Sequence, residues 1–175
     1  KKKIYMIYWA TTIPGRFAAG DTSGDAKYNH RMYYVTTKNF KTFSKTKLLY
    51  DKGFNVIDAS IVPDGNRFIM FLKDETRYPP QKNIRIATST KLKKGFTEAS
   101  VPITGNYWAE GPTAVKIGNQ WIVYFDKYTA HKYGAVVSAD LVNWQDVSDK
   151  IQMPAGIRHG TVFKIAKEEL AVLLK

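Results

Sequence analysis

The sequence contains no cysteine, which excludes disulfide bonds and thiolate metal ligands from this chain. It also lacks a long apolar segment, since the longest run, residues 4–10, is far too short to span a bilayer. Three lysines precede that run but no small-residue cleavage site follows it, so we interpret it as a strand rather than a signal peptide. The sequence has no Gly-rich phosphate loop and no RNA-binding sheet signature. Nucleic acid and membranes are therefore not expected partners.

Positive charge, in contrast, is in excess. There are 27 Lys and Arg residues against 15 Asp and Glu, which gives a formal net charge of +12. Such an excess raises the hypothesis of an acidic partner. We favour a solvated basic surface instead, because the lysines are spread along the chain. A length of 175 residues with 44% hydrophobic content is enough for one core, so we expect a single domain over residues 1–175.

The chain repeats a pattern of about 50 residues. Three segments each read as a strand, a hydroxyl-rich turn, an apolar residue and then an aromatic residue. The equivalent apolar residues, separated by 52 and 49 positions, are Phe40, Leu92 and Leu141. Another strand precedes each segment, and its equivalent residues are Tyr8, Phe71 and Tyr124. A third strand begins at residues 58, 110 and 159, again separated by 52 and 49 positions.

The repeated unit predicts an up-and-down four-stranded sheet, the size of one propeller blade. Gly-Asn pairs at residues 65–66 and 118–119 predict tight hairpins between its first two strands. We therefore predict an all-β fold, an incomplete β-propeller of roughly three blades. The blades are residues 1–50 (first strand missing), 51–105 and 106–155, followed by a closing strand and tail at 156–175 with a short helix. The first repeat is longer because of a loop at residues 13–29, and a loop of that length is often functional.

Candidate site residues lie at the start of each inner strand, where the strands of a propeller gather at one mouth of its channel. Asp58, Glu110 and His159 occupy this same position in successive repeats, so we expect them to converge. The indole of Trp108 and an ionised Asp58 should both raise the pKa of Glu110 and keep it protonated as a proton donor. Trp108 also offers a flat face on which a sugar ring could pack.

Simpler interpretations remain open for each of these residues. A carboxylate at a strand start can cap a turn or pair with an arginine, although acidic residues in register favour a functional role. His159 fits three roles: a structural histidine, a substrate contact or a ligand of a channel ion. Arg158 fits either an anchor for substrate or a surface ion pair. We assign Trp108, His159 and Arg158 as candidate substrate contacts.

Four segments resemble glycoside hydrolase family 43. They are residues 58–62 (Asp-Ala-Ser-Ile-Val), 108–113 (Trp-Ala-Glu-Gly-Pro-Thr), 138–144 (Ser-Ala-Asp-Leu-Val-Asn-Trp) and 158–161 (Arg-His-Gly-Thr). That family is a five-bladed β-propeller of inverting enzymes, mostly β-xylosidases, α-L-arabinofuranosidases and arabinanases. The resemblance, which covers residues 4–165, implies that Glu110 is the general acid and that Asp58 orients it and modulates its pKa. It requires no cofactor. In some members of the family the channel histidine that matches His159 lies near a bound calcium or its water shell, although the sequence has no aspartate-rich ion loop.

The resemblance also implies a third carboxylate, the general base that activates water. In the family this Asp starts the inner strand of the first blade, about two blades before Asp58, whereas only 57 residues precede Asp58 here. Asp21 and Asp25 lie in the long loop, so we do not assign either as the base. We expect a chain truncated at its N-terminus relative to the family and inactive alone. A fragment of a longer protein is the favoured explanation, with a truncated gene or blades supplied by another chain as alternatives.

Three functions follow from these observations. The leading hypothesis is a glycosidase that acts on arabinose- or xylose-containing polysaccharides such as arabinan and xylan, or on their oligosaccharides. The family resemblance implies that it is secreted or periplasmic. The alternative is a carbohydrate-binding propeller without turnover. The third is a protein-interaction propeller that binds an acidic partner through its basic face. The sequence does not predict the oligomeric state.

Overall fold

A computed structural model of the chain describes residues 3–12 and 28–175. Most of the predicted long loop, with Asp21 and Asp25, therefore lies outside the described residues. The described strands are β1 (Tyr5–Thr12), β2 (His30–Thr37), β3 (Lys47–Tyr50), β4 (Val56–Asp64), β5 (Arg67–Asp74), β6 (Asn83–Ser89), β7 (Glu110–Ile117), β8 (Gln120–Lys127), β9 (Lys132–Ser138) and β10 (Gln145–Asp146). One helix, α1 (Lys167–Leu173), follows them.

The strands form three antiparallel sheets, each built from consecutive strands. The first sheet is β1-β2-β3, the second is β4-β5-β6 and the third is β7-β8-β9-β10. Each sheet lies within one predicted blade, and the hairpins β4–β5 and β7–β8 turn at Gly65 and Gly118, both with positive φ. The all-β fold and the incomplete propeller are confirmed.

The second blade lies in the middle of the core. Along β5, alternate residues point to opposite faces of the sheet, as the period of a strand requires. Ile69 and Phe71 pack with residues of the third blade, whereas Met70 and Leu72 pack with residues of the first. Because both faces are covered, this strand is apolar at every position from 68 to 72.

The hydroxyl-rich turns repeat in structure as well as in sequence. Thr37, Ser89 and Ser138 end the third strands of their blades, and each side-chain oxygen accepts at least one backbone N–H of the following turn. The predicted fourth strand of the second blade is irregular. Its residues 97–103 still bond to β6 through the N–H groups of Thr97 and Ile103.

The predicted closing strand differs from the structure. Residues 151–166 form no strand, and His159 has a φ of +36°, which interrupts regular extension. A strand needs a partner ladder. This segment is attached by isolated side-chain contacts instead, such as the bond from Val162 N–H to Thr113 Oγ1 and the contacts of Arg158 and His159 with Glu110. The short helix expected after residue 167 is present as α1. Among the described residues, no helix is both long and apolar enough to cross a membrane.

Candidate active site

Two β-bulges shape the starts of the inner strands. The pairing of β4 with β5 shifts register between Ile57 and Ser60, and that of β7 with β8 shifts between Glu110 and Thr113. Asp58 has a φ of +52° and Gly111 a φ of +57°. An extra residue in one strand re-aims the local side chains. Asp58 lies within the bulge of β4, whereas Glu110 is the last paired residue before the bulge of β7.

The three residues expected to converge do so. One ligand atom each from Asp58, Glu110 and His159 lies within 4.8 Å of the others. Asp58 Oδ2 accepts the N–H of Gly111 at 3.1 Å, and His159 Nε2 lies 3.1 Å from Glu110 Oε1. Thus three side chains that the sequence aligns in successive repeats lie together in the fold.

An open cleft of about 470 Å³ adjoins this cluster. The strand starts at residues 58–60 and 111–113 line it, together with residues 159–161 and Tyr8. Gly111 is required here because a Cβ on it would lie 2.8 Å from His159 Nδ1, and because its φ is in the left-handed region. The cleft is large enough for a small sugar-sized ligand, with Asp58 and His159 on its wall.

Lys73 was not predicted as a site residue, yet it contacts Glu110 directly. It lies near the end of β5, and its Nζ is 2.9 Å from Glu110 Oε2 and 2.6 Å from Glu75 Oε2. The same ammonium lies 4.5 Å from the ring centroid of Tyr128. The only signal in the sequence was that this lysine directly follows the apolar residues 68–72 of a predicted strand.

Arg158 forms ion pairs, one of the two roles that the sequence left open. Its Nη2 lies 2.8 Å from Glu110 Oε1, and its Nε donates to Asp126, which is fully buried in β8. Asp126 pairs with Glu110 across β7 and β8. Glu110 is therefore contacted by two cations, Lys73 on one carboxylate oxygen and Arg158 on the other.

The pKa of Glu110 differs from the prediction. Burial raises it, but hydrogen bonds from Lys73 and His159, and the charges of these groups, outweigh burial and hold the pKa below its usual value. The expected rise was therefore wrong, because sequence reasoning did not include Lys73. The pKa of Asp58 is raised by burial and by the charge of Glu110, against the N–H of Gly111 and the charges of His159 and Lys73.

Trp108 lies beside the cluster with 43% of its surface exposed. Its ring packs against Tyr128 at a centroid distance of 5.9 Å. The exposed indole face leaves room for the predicted contact with a sugar ring. Through Tyr128, the indole is also connected to Lys73, whose ammonium lies over the other aromatic ring.

The cluster does not fit the calcium that the family resemblance implies. Calcium takes six to eight oxygen ligands, whereas the described group offers two carboxylates and an imidazole. Both oxygens of Glu110 already pair with the cations Lys73 and Arg158, whose charges would repel a metal ion. No step of the chemistry is routed through a metal.

Solved structures share this fold. An α-L-arabinofuranosidase from Lactobacillus brevis superposes with a TM-score of 0.59 at 16% identity, and the match covers 83% of this chain and 51% of that one. The family 43 protein BlXynB from Bacillus licheniformis gives a TM-score of 0.56 at 16% identity, covering 82% and 27%. A glycosyl hydrolase from Bacteroides ovatus gives 0.51 at 17% identity, covering 67% and 40%. This chain thus spans about half, or less, of the length of these proteins.

No curated protein matches the chain in sequence. A family model described as "Probable glycosyl hydrolase domain", of the family 43-related group, matches residues 1–171. The match covers nearly all of the chain and includes both carboxylates and the imidazole of the cluster. The chain therefore belongs to the family 43-related glycosyl hydrolases.

Proposed function

We propose that this chain carries the acid half of an inverting glycosidase that cleaves arabinose- or xylose-containing glycosides. The observation that supports the proposal is the meeting of Asp58, Glu110 and His159 within 4.8 Å beside an open cleft. Asp58 and Glu110 lie near the starts of β4 and β7 in two successive sheets, and His159 belongs to the irregular segment that follows the third sheet.

Glu110 is the general acid. It donates its proton to the glycosidic oxygen as the C–O bond breaks, and the bond's electron pair moves onto that oxygen. Glu110 must be protonated to do so, and its pKa is lowered by Lys73 and His159 despite burial. The protonated fraction therefore grows as the pH falls, and activity should decline as the pH rises through a value below the usual range of a glutamate.

Asp58 holds the backbone beside the acid by accepting the N–H of Gly111. When ionised, its negative charge disfavours the carboxylate of Glu110, which opposes the effect of Lys73. Asp58 thus orients the general acid and modulates its pKa. Trp108, His159 and Arg158 are the proposed contacts for sugar.

Inversion also needs a base that activates water on the opposite face of the sugar. We assign that role to a carboxylate outside the 175-residue chain. The chain tested alone should then show no turnover. The proposed setting is outside the cell or in the periplasm, as the family resemblance implies.

A carbohydrate-binding propeller without turnover is the second candidate. One observation favours it: Lys73, Arg158 and His159 all contact the carboxyl of Glu110, and such partners favour a carboxylate over a proton donor. In this case the cleft and the exposed face of Trp108 bind sugar, and Glu110 is a hydrogen-bond acceptor for hydroxyl groups.

Hydrolysis of aryl α-L-arabinofuranosides and aryl β-D-xylosides distinguishes the two candidates. The protein at its natural length, its Glu110→Gln variant and the 175-residue chain are assayed together. We expect turnover by the first and a loss of about 10²- to 10⁴-fold in kcat for the variant. Dinitrophenyl glycosides need less proton donation, so the variant should retain more of its activity on them.

Glu98→Gln is the matched control, because Glu98 is an exposed residue that pairs with Lys52 on the surface. It should leave kcat unchanged. Sugar binding by the natural-length protein with no turnover on either substrate, or on xylan and arabinan fragments, would favour the binding propeller. Equal loss on good and poor leaving groups in Glu110→Gln would exclude Glu110 as the acid.

A further inference from the structure

Lys73 is a buried cation with two carboxylate partners from different blades. Its side chain is 3% exposed, and it pairs with Glu75 at the end of its own sheet and with Glu110 at the start of the next. Burial alone would lower the pKa of Lys73, but the bonds and charges of Glu75 and Glu110 raise it above its usual value. The residue therefore remains charged, and it is costly to bury unless both partners are in place.

Glu75 is fixed by further contacts, which makes it a firm anchor for Lys73. Its Oε1 accepts hydrogen bonds from Lys82 Nζ and from the hydroxyl of Tyr28, while its Oε2 faces Lys73. These bonds lower the pKa of Glu75 against the effect of burial. The ring of Tyr128 lies against Lys73 from a third direction. The position of the Lys73 ammonium is thus fixed by contacts other than the one with Glu110.

We infer that Lys73 is a positioning residue for the general acid: it holds Glu110 Oε2 and stabilises the carboxylate that remains after proton donation. This inference rests on the proposed function of Glu110. In the reaction the proton leaves Glu110 for the departing oxygen, and Lys73 keeps its own proton throughout. The charge that develops on Glu110 in the transition state then meets a cation already in place, without reorganisation.

Several charged or titratable groups face Glu110. Their burial decides which of them has the largest effect on its pKa. Lys73 approaches from β5, Asp58 from β4, and Tyr128 from the turn after β8. Arg158 and His159 approach from the segment before α1, but they are 52% and 46% exposed. Water and salt screen those two, whereas Lys73 at 3% exposure is screened least.

Lys73→Met tests the inference, with the carboxyl group of Glu110 followed by ¹³C NMR and assigned by its loss in Glu110→Gln. Removal of a cation at this distance should raise the titration midpoint of Glu110 by about 1 to 3 pH units. Lys73→Arg should restore most of the original midpoint. Lys91→Met, at an exposed turn, should leave it unchanged. An unchanged midpoint in folded Lys73→Met would overturn the inference.

Glu75→Gln gives a second test that does not remove the lysine. Lys73 then has one anionic partner instead of two, so the midpoint of Glu110 should move in the opposite direction, downward. If Lys73→Met does not fold, this result decides: a fall supports the inference and no change overturns it. Backbone amide spectra establish whether each variant is folded.

Kinetics separate this inference from the proposed function. In active, natural-length protein, Lys73→Met should shift the alkaline limb of the kcat profile upward by about 1 to 3 pH units, as it shifts the NMR midpoint. It should lower kcat more than it changes KM, and Lys73→Arg should recover part of the loss. Loss of activity in Glu110→Gln with an unshifted profile in Lys73→Met overturns this inference alone. Full activity in Glu110→Gln overturns the proposed function.

Discussion

The second and third blades share a strand plan but differ in how much of each is covered. In β5 of the second blade, positions 69–74 are buried on both faces, whereas residues 121–125 of β8 in the third blade alternate between buried and half-buried. The second blade packs against both neighbours; in the described structure the third packs with its buried residues against the second. The same repeat therefore gives a core strand in one position and a half-open strand in the next.

The two blades also differ in charge at one equivalent position. Lys73 in β5 and Asp126 in β8 are 53 residues apart, and both are buried. Lys73 contacts Glu110 directly, whereas Asp126 contacts it through Arg158. The second and third blades thus both place a buried charge that reaches toward the site, but the two charges have opposite signs. The first blade has Ala10 at this position.

The largest expected effect comes from truncation of the fully covered strand. Phe71 is completely buried among residues of both blades and lies 6.1 Å from the ring of Trp121. Phe71→Ala should lower the free energy of unfolding by about 3–5 kcal/mol, since it leaves a cavity as well as losing apolar burial. Urea unfolding followed by tryptophan fluorescence measures this change.

Tyr124, the equivalent residue of β8, is the matched position because it is half-buried. Tyr124→Ala should cost about 1–2 kcal/mol, less than Phe71→Ala. Equal losses in the two variants would show that the blades are covered to the same extent and would break the comparison.

An intermediate effect is expected from the buried carboxylate of the third blade. Asp126→Asn keeps the shape of the side chain but removes the charge that pairs with Arg158. Because Arg158 is half-exposed, it can turn to water, so the free energy of unfolding should fall by about 1–3 kcal/mol. Thermal or urea unfolding at neutral pH is the measurement.

Asp149→Asn, at an exposed position of the same blade, is the control for this variant. It should change the stability by less than about 0.5 kcal/mol. A loss in Asp126→Asn no larger than that of the control would mean that the pair of Asp126 with Arg158 does not contribute to the free energy of unfolding. The two equivalent buried charges would then differ in importance as well as in sign.

The smallest expected effect is on stability in acid. Asp146 in β10 corresponds to Glu98 of the second blade, because Gln145 pairs with Val137 as Thr97 bonds to Thr88. The side chain of Glu98 is 75% exposed and that of Asp146 is 40% exposed. Despite partial burial, which raises the pKa of Asp146, its bonds with Ser148, Tyr107 and Lys127 lower it from 3.8 to about 2. A carboxyl whose pKa is lower when folded stabilises the protein above its unfolded value and loses that contribution as pH falls toward the folded value.

The third blade should therefore lose stability from this group between roughly pH 4 and roughly pH 2. Urea unfolding at several pH values in this window should show a shallower slope for Asp146→Asn than for the original chain. An identical slope for both would mean that Asp146 does not distinguish the acid response of the two blades.

The sequence was sufficient to predict the blades and the convergence at the site. A period of about 50 residues places equivalent residues at equivalent places in successive sheets, so Asp58, Glu110 and His159 could be aligned by position alone. The turns were predictable as well, since the bonds that Ser89 and Ser138 make are local in sequence.

The sign of the pKa shift at Glu110 could not be predicted in the same way. Its two cationic partners, Lys73 and Arg158, are 37 and 48 residues distant, and they meet it only through the packing of one blade on the next. The prediction of a closing strand was wrong for a related reason. Repetition predicts where a strand could begin at residue 159, but the ladder that stabilises it must come from a neighbouring strand.

The segment before α1 has a thermodynamic consequence for the acid. Arg158 and His159 attach it to Glu110, and these contacts are stronger when Glu110 is ionised. By reciprocity, a proton that binds to Glu110 weakens the attachment of the segment, and detachment of the segment increases the proton affinity of Glu110. Docking of an irregular stretch of chain and the acid strength of one carboxyl group are thus two expressions of a single coupling free energy.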